Sequence, residues 1–255
     1  MLVKTIIKHA APVPSLESFN SFLFVGPHPD DIEIGAGATA AKLAAAGKRV
    51  CFLICIDGRF GDSLSTFKGD ELAEERKREA LASAAFLGIH DVRFLGFKDG
   101  ACYECSELEK AIASVISDFS PDVILCPDPD VISECHQDHL NVGRICKELA
   151  NFAPYENIFQ TRFGLKAAPV KALAFYMTAK PNSFVSTRGL LEKQLDSVFK
   201  YHLSQFPAGC DDAKSITLYL RLRAYSFGLK GLCKTAEGFR ILGRTHMHCL
   251  PEAGE

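Results

Sequence analysis

Four short apolar runs, SFLFVG (21–26), RVCFLICIDG (49–58), VRFLG (92–96) and PDVILCPD (121–128), alternate with stretches of helical periodicity. The intervening stretches are ATAAKLAAAG (38–47), GDELAEERKREALASAAFLG (69–88) and ELEKAIASVISDF (107–119). Runs that are apolar at successive positions belong in a sheet covered on both sides, and strands separated by single helices run parallel. No other feature constrains the chain as much. It predicts an α/β fold, Rossmann-like, with a largely parallel sheet and helices on both faces. A helix from near Leu140, a fifth strand over 171–178, and helices over 190–206 and 216–231 follow. Residues 151–169 mix Pro, Gly and aromatics and read as irregular. At 255 residues, 47% of them hydrophobic, the chain is expected to form one domain over 1–255.

Sheets of this kind bind ligands just beyond the carboxyl ends of their strands. Every chemically suggestive loop begins there: GPHPDD after the first strand, DGRFGD after the second, KDG after the third and PDPDVISECHQDH after the fourth. The first loop crowds His28, Asp30 and Asp31 together, and the fourth supplies His136, Asp138 and His139. Taken singly, a loop histidine is ordinarily solvated and an aspartate beside proline is ordinarily turn chemistry. Two such clusters on one edge of a sheet call for something to neutralise them. A divalent transition metal, zinc foremost, does so. His28 and Asp31 with one histidine of the second cluster make three ligands and leave a fourth position for water.

One competing reading is a dinucleotide-dependent oxidoreductase. Gly35, Gly37 and Ala40 spell G-x-G-x-x-A, and Asp57 stands twenty residues beyond Gly37. Against it, eight residues separate Gly26 from Gly35, and Asp30, Asp31 and Glu33 among them would repel a pyrophosphate. A non-catalytic sugar- or metal-binding module is the second alternative, although binding alone has no use for a carboxylate at Asp30.

HPDDIEIGAGATAAKL (28–43) together with HQDH (136–139) resembles the signature of the LmbE-like, or PIG-L, metal-dependent de-N-acetylases. RKREALASAAFLGI (76–89), KDG (98–100), YHLSQF (201–206) and TAEGF (235–239) extend the resemblance in the family's order. It implies an LmbE-like fold, an amide hydrolase, and an N-acetylated amino sugar or its conjugate as substrate. It also implies His28, Asp31 and His139 as metal ligands and Asp30 as general base. His136 is implied as the group that stabilises the oxyanion or protonates the leaving amine, and Asp138 as the carboxylate that orients a histidine. Asp99 matches a position that contacts sugar hydroxyls. Asp57, Arg59 and Asp62, in loops on the same edge, are further candidates for hydroxyls, and Arg59 and Lys68 for an anionic group on the conjugate. His202, in YHLSQF, is expected to pack rather than to line the pocket. Two departures stand out: Glu134 replaces a tyrosine found in some relatives, and Ser186 an acidic residue.

A net charge of −2 offers no general attraction for nucleic acid. The longest apolar runs are too short to span a membrane and MLVKTIIKH is too brief for a secretory signal, so a cytoplasmic location is expected. The ten cysteines are expected to be mostly buried thiols of a reduced compartment. Association of copies into a homo-oligomer is left open.

Overall fold

The computed structural model describes residues 10–61 and 63–248. Its strands are β1 (Ser21–Gly26), β2 (Arg49–Ile56), β3 (Asp91–Phe97), β4 (Val123–Pro127), β5 (Ala172–Tyr176), β6 (Ser183–Ser186) and β7 (Ala236–Gly243). They form one sheet in the order β3-β2-β1-β4-β5-β7-β6. The first five strands are parallel, and β7 runs antiparallel to both β5 and β6. The chain builds outward from β1 to β3, then crosses back to lay β4 on the other side of β1. That reversal opens a crevice between the ends of β1 and β4.

Seven α-helices connect these strands and an eighth follows the last, among the described residues: α1 (Asp31–Ala45), α2 (Gly69–Leu87), α3 (Cys105–Phe119), α4 (Gln137–Phe152), α5 (Glu156–Phe163), α6 (Leu191–Phe199), α7 (Asp211–Lys230) and α8 (Arg244–His248). Alternate strand residues divide the core. Leu23, Val25, Ile124 and Phe175 face α3 and α4, where Ile112 and Leu149 meet them. Phe22, Phe24, Phe52 and Leu125 face α1 and α2, against Ala40 and Ala84. Apolar residues at both parities of each strand therefore have a helix layer to bury them.

The helix expected over 190–206 ends at Phe199, and the structure departs from the sequence expectations in four further places. Residues 151–169 contain α5, whose Phe159 is fully buried and meets the Phe163 ring edge-on at 5.3 Å. Strands β6 and β7 were not expected; Glu237, Gly238 and Arg240 interrupt the apolar pattern that would reveal β7. The helix expected over 38–47 begins at Asp31 and bends at Ala36, which has φ −152° and ψ 15°. The amides of Ala38 and Thr39, just past the bend, donate to the Glu237 carboxylate at 3.1 and 2.7 Å. Last, the thiols are not mostly buried: of nine described cysteines, all free, four are buried, two intermediate and three exposed. Cys102 and Cys105, a C-x-x-C pair, are both among the exposed.

Candidate active site

Because β1 and β4 are hydrogen-bonded neighbours, the loops that leave their carboxyl ends lie side by side. Asp30 sits at the start of α1 with φ 114°, a conformation that costs an aspartate ~1–3 kcal/mol and persists only when its surroundings hold it. Arg76 of α2 does the holding. One guanidinium nitrogen donates to the Pro29 carbonyl at 2.7 Å and to Asp30 Oδ2 at 3.2 Å, and the other to the Gly58 carbonyl at 3.0 Å. The turn also directs the His28 amide to Asp31 Oδ2 at 2.8 Å.

Two imidazoles converge on Asp31. His28 Nδ1 lies 3.3 Å and His139 Nε2 3.4 Å from the same oxygen, Asp31 Oδ2. Each ring is fixed from behind by carboxylates. His28 Nε2 is 3.2 Å from both Asp99 Oδ1 and Asp138 Oδ2, and His139 Nδ1 is 3.0 Å from Glu134 Oε2. Carboxylates that hold the protons of the outer nitrogens turn the inner nitrogens toward Asp31, where a bound metal would displace the second proton of each ring, the arrangement that metal-binding histidines use. The ligand atoms of His28, Asp31 and His139 all lie within 4.8 Å of one another. A second grouping of His28, Asp99, His136 and Asp138 is equally tight, but its carboxylates are already engaged. Asp138 accepts from Gly100 N, Ala101 N and Tyr103 Oη at 3.0, 2.9 and 2.8 Å, and Asp99 from Phe60 N and Gly100 N at 3.1 and 2.7 Å. His28, Asp31 and His139 are the set that fits a divalent transition metal.

Charge at the site follows from burial set against pairing. Burial pushes Asp30 up to about 6 even though Arg76 opposes it. Burial would also raise Asp31 and Asp99, yet the adjoining histidines hold both well below the usual carboxylate range. Burial would lower His139, but Asp31 outweighs it and carries it up to about 9. His136 differs. Its Nδ1 accepts the Asp138 amide at 3.3 Å and caps α4, and burial with the charges of His28 and His139 lowers its pKa.

The structure thus gathers His28, Asp30, Asp31, Asp99, His136, Asp138 and His139 on one edge. Arg59 is paired with Asp57 and Asp70 and lines, with Pro29, a cavity of about 300 Å³ whose walls include none of those seven. Asp62 falls outside the described residues. Asp99 meets His28 at 3.2 Å. Asp138 leans on His28 at 3.2 Å and is 3.8 Å from His136, so the histidine it orients is the one from the other loop. Asp138 still favours a charged His136, but burial and the charges of His28 and His139 outweigh it. His202 is buried as expected, at 3.2 Å from Glu33, directly under the Asp30 turn. Sequence reading missed Arg76. The signal was present, since Arg76 and Glu79 fall on the buried stripe of α2 with Leu72, Ala80 and Ser83; a charge placed there needs a partner. Glu134, in the sequence only a departure from some relatives, accepts from His139 in the structure.

A cavity of about 170 Å³ opens beside His139 and Glu134, walled by Asp128, Met177 and Tyr219. Gly35 does not cradle a phosphate: a Cβ there would come within 2.3 Å of the Tyr176 ring, so that glycine serves the packing of α1 on β5. A parallel sheet whose strand order reverses at β1, with two His/Asp loops at the crevice, defines an α/β protein with a candidate metal site. The profile of the PIG-L family, GlcNAc-PI de-N-acetylase, matches residues 23–150. The chain is 35% identical over 242 residues to diacetylchitobiose deacetylase of Thermococcus kodakarensis, covering 93% of this chain and 90% of that one. It is 29% identical to a 1D-myo-inositol 2-acetamido-2-deoxy-alpha-D-glucopyranoside deacetylase of Thermobispora bispora, over 80% of this chain and 74% of the relative. The solved structure of N,N'-diacetylchitobiose deacetylase from Pyrococcus horikoshii, in complex with an inhibitor, superposes with a TM-score of 0.86 at 30% identity. That match covers 98% of this chain and 95% of the other. The chain belongs to the PIG-L, or LmbE-like, family of de-N-acetylases.

Proposed function

We propose that the protein removes the acetyl group from an N-acetylated amino sugar or its conjugate, using a divalent metal, zinc foremost, held by His28, Asp31 and His139. The observation that carries this reading is the convergence of His28 Nδ1, His139 Nε2 and Asp31 Oδ2, with carboxylates behind both rings. A divalent cation bound there would supply a Lewis acid for a water molecule and for an amide carbonyl.

The remaining chemistry belongs to the side chains. Asp30 stands beside the ligands but is turned toward Arg76, and a carboxyl near 6 is ionised at neutral pH yet basic enough to take a proton from attacking water. Arg76 fixes its direction and keeps it from collapsing onto the histidines. His136, whose Nδ1 is occupied as an acceptor, carries its proton on Nε2. As a neutral imidazole it donates to the oxygen that gains charge when the carbonyl is attacked, the role open to a histidine at a helix N-terminus. Asp99 and Asp138 keep the His28 ring in one tautomer. The cavity beside His139 receives the sugar, with the Tyr219 hydroxyl, which accepts from Arg223 at 2.8 Å, available to donate in turn. Similarity to deacetylases of chitobiose and of a glucosaminyl-inositol supports an amino-sugar substrate.

The reading is tested by pairing metal content with rate. Asp30→Ala is expected to retain about one equivalent of zinc while amide hydrolysis falls by roughly 10²-fold or more, and His28→Ala to lose both. His136→Ala is expected to slow turnover and leave metal affinity intact. A fully active Asp30→Ala protein, assayed on N-acetylhexosamine derivatives for released acetate and free amine, would overturn the mechanism.

A further inference from the structure

Cys102, in the link from β3 to α3, and Cys105, the first residue of α3, stand three positions apart, and both thiols are free and exposed. C-x-x-C is the spacing at which redox dithiols close on themselves. Neither cysteine is part of the site, but the residues around them are fastened to it. Tyr103, between the two, donates its hydroxyl proton to Asp138 Oδ1 at 2.8 Å and accepts from Asn141 at 3.2 Å. Immediately before the pair, Gly100 N and Ala101 N donate to the same carboxylate. Gly100 has φ 71° and Ala101 φ 57°; an alanine stays in that left-handed region only under constraint. Residues 100–103 therefore make three of the bonds that seat Asp138, and Asp138 seats His28.

We propose that Cys102 and Cys105 form a reversible thiol–disulfide site, oxidised by a low-molecular-weight disulfide, whose closure draws Tyr103 off Asp138 and slows the deacetylase. One cysteine thiolate attacks a sulfur of the oxidant, forms a mixed disulfide and releases one thiol. The second thiolate attacks the cysteine sulfur of that mixed disulfide and releases the other thiol. The two protons lost by the cysteines end on the two released thiols, and two electrons pass from the protein to the oxidant. A disulfide between Cys102 and Cys105 closes a ring that contains the backbone of Tyr103 and takes the Cys102 thiol from the Gly100 carbonyl, 3.6 Å away, beside a segment held in the left-handed region at Ala101. The effect on rate rests on the function proposed above; formation of the disulfide does not.

The full chain, equilibrated in glutathione buffers of graded oxidation, is read by intact mass, free-thiol count and hydrolysis of an N-acetylhexosamine. The expected result is loss of two hydrogens and two thiols, a disulfide mapped to Cys102 and Cys105, and a roughly tenfold or greater fall in kcat that dithiothreitol restores. The double variant Cys102→Ser, Cys105→Ser is expected to keep the basal rate and lose the response. Cys135→Ser, which removes the exposed thiol of the facing loop, is expected to keep both. Tyr103→Phe should be slow under reducing and oxidising conditions alike. Glutathione adducts without ring closure, closure without a change in rate, or a response that survives in the double variant would each overturn the proposal. A reduced protein that hydrolyses no amide would count against the functional reading instead, and the mass would still decide whether the pair closes.

Discussion

At the scale of single residues, the site is a balance between carboxylates and the groups that hold them. Glu134 shows how a side chain can be legible in identity and illegible in role. From sequence it is an acid where some relatives carry a tyrosine, suggesting a change at the substrate end. In the structure it accepts from the His136 amide at 2.7 Å and meets His139 Nδ1 at 3.0 Å. Burial would raise its pKa, but those two partners hold it below the usual range, so it stays ionised behind the ring. Glu134→Ala is therefore expected to weaken zinc binding by ~10–100-fold, as measured by competition with a chromophoric chelator. Glu134→Gln, which keeps an acceptor without the charge, should fall between the variant and the native protein. Unchanged affinity in Glu134→Ala would show that the carboxylate does not orient His139.

At the scale of elements, two helices have to be placed to within a fraction of an ångström for the site to exist. Helix α4, which carries His139 in its first turn, packs on the end of β4 through Gly143, where a Cβ would meet the Pro127 carbonyl oxygen at 2.7 Å. Alanine in place of glycine favours a helix by about 1 kcal/mol, but overpacking costs ~1–3 kcal/mol. A backbone carbonyl cannot rotate away. Gly143→Ala is thus expected to lower Tm and, by displacing α4, to weaken zinc binding as well. Helix α1 depends on a strand from the far end of the chain. Glu237 of β7 receives the amides freed at the Ala36 bend, but burial pushes its carboxyl up from 4.5 to about 7. The folded state then binds that proton more tightly than the unfolded state. The stability it contributes is complete below about pH 4.5 and lost as pH rises through 7, a change on the order of 3 kcal/mol. Glu237→Gln should remove this slope, so the advantage of the native protein over the variant in denaturant melts should shrink as pH rises from 4.5 to 8.

For the whole molecule, the proposed ligands follow the carboxyl ends of β1 and β4, so a metal bound there would be coupled to the centre of the sheet. Zinc at a hundredfold excess over its Kd is expected to stabilise the native protein by about 2.7 kcal/mol, raising Tm by roughly 5–10 °C for a chain of this size. A chelator should reverse the shift, and His28→Ala should show none. Among the described residues no helix is long and apolar enough to cross a membrane. The parallel part of the sheet was legible in the sequence because each run is apolar at both parities and each connector has helical period; burial on two sides writes itself into local composition. The two histidine loops were legible for a similar reason, as charge placed at strand ends. Strands β6 and β7 and helix α5 were not, because their stability comes from partners distant in sequence and leaves no local pattern. By itself, then, the sequence determined the layers of the fold and the residue types at its crevice. Only the tertiary structure decided that Asp138 serves His28, that Arg76 aims Asp30 and that Glu134 serves His139, because each of those pairings depends on the direction of a side chain across a gap between separate elements, and local sequence does not encode such directions.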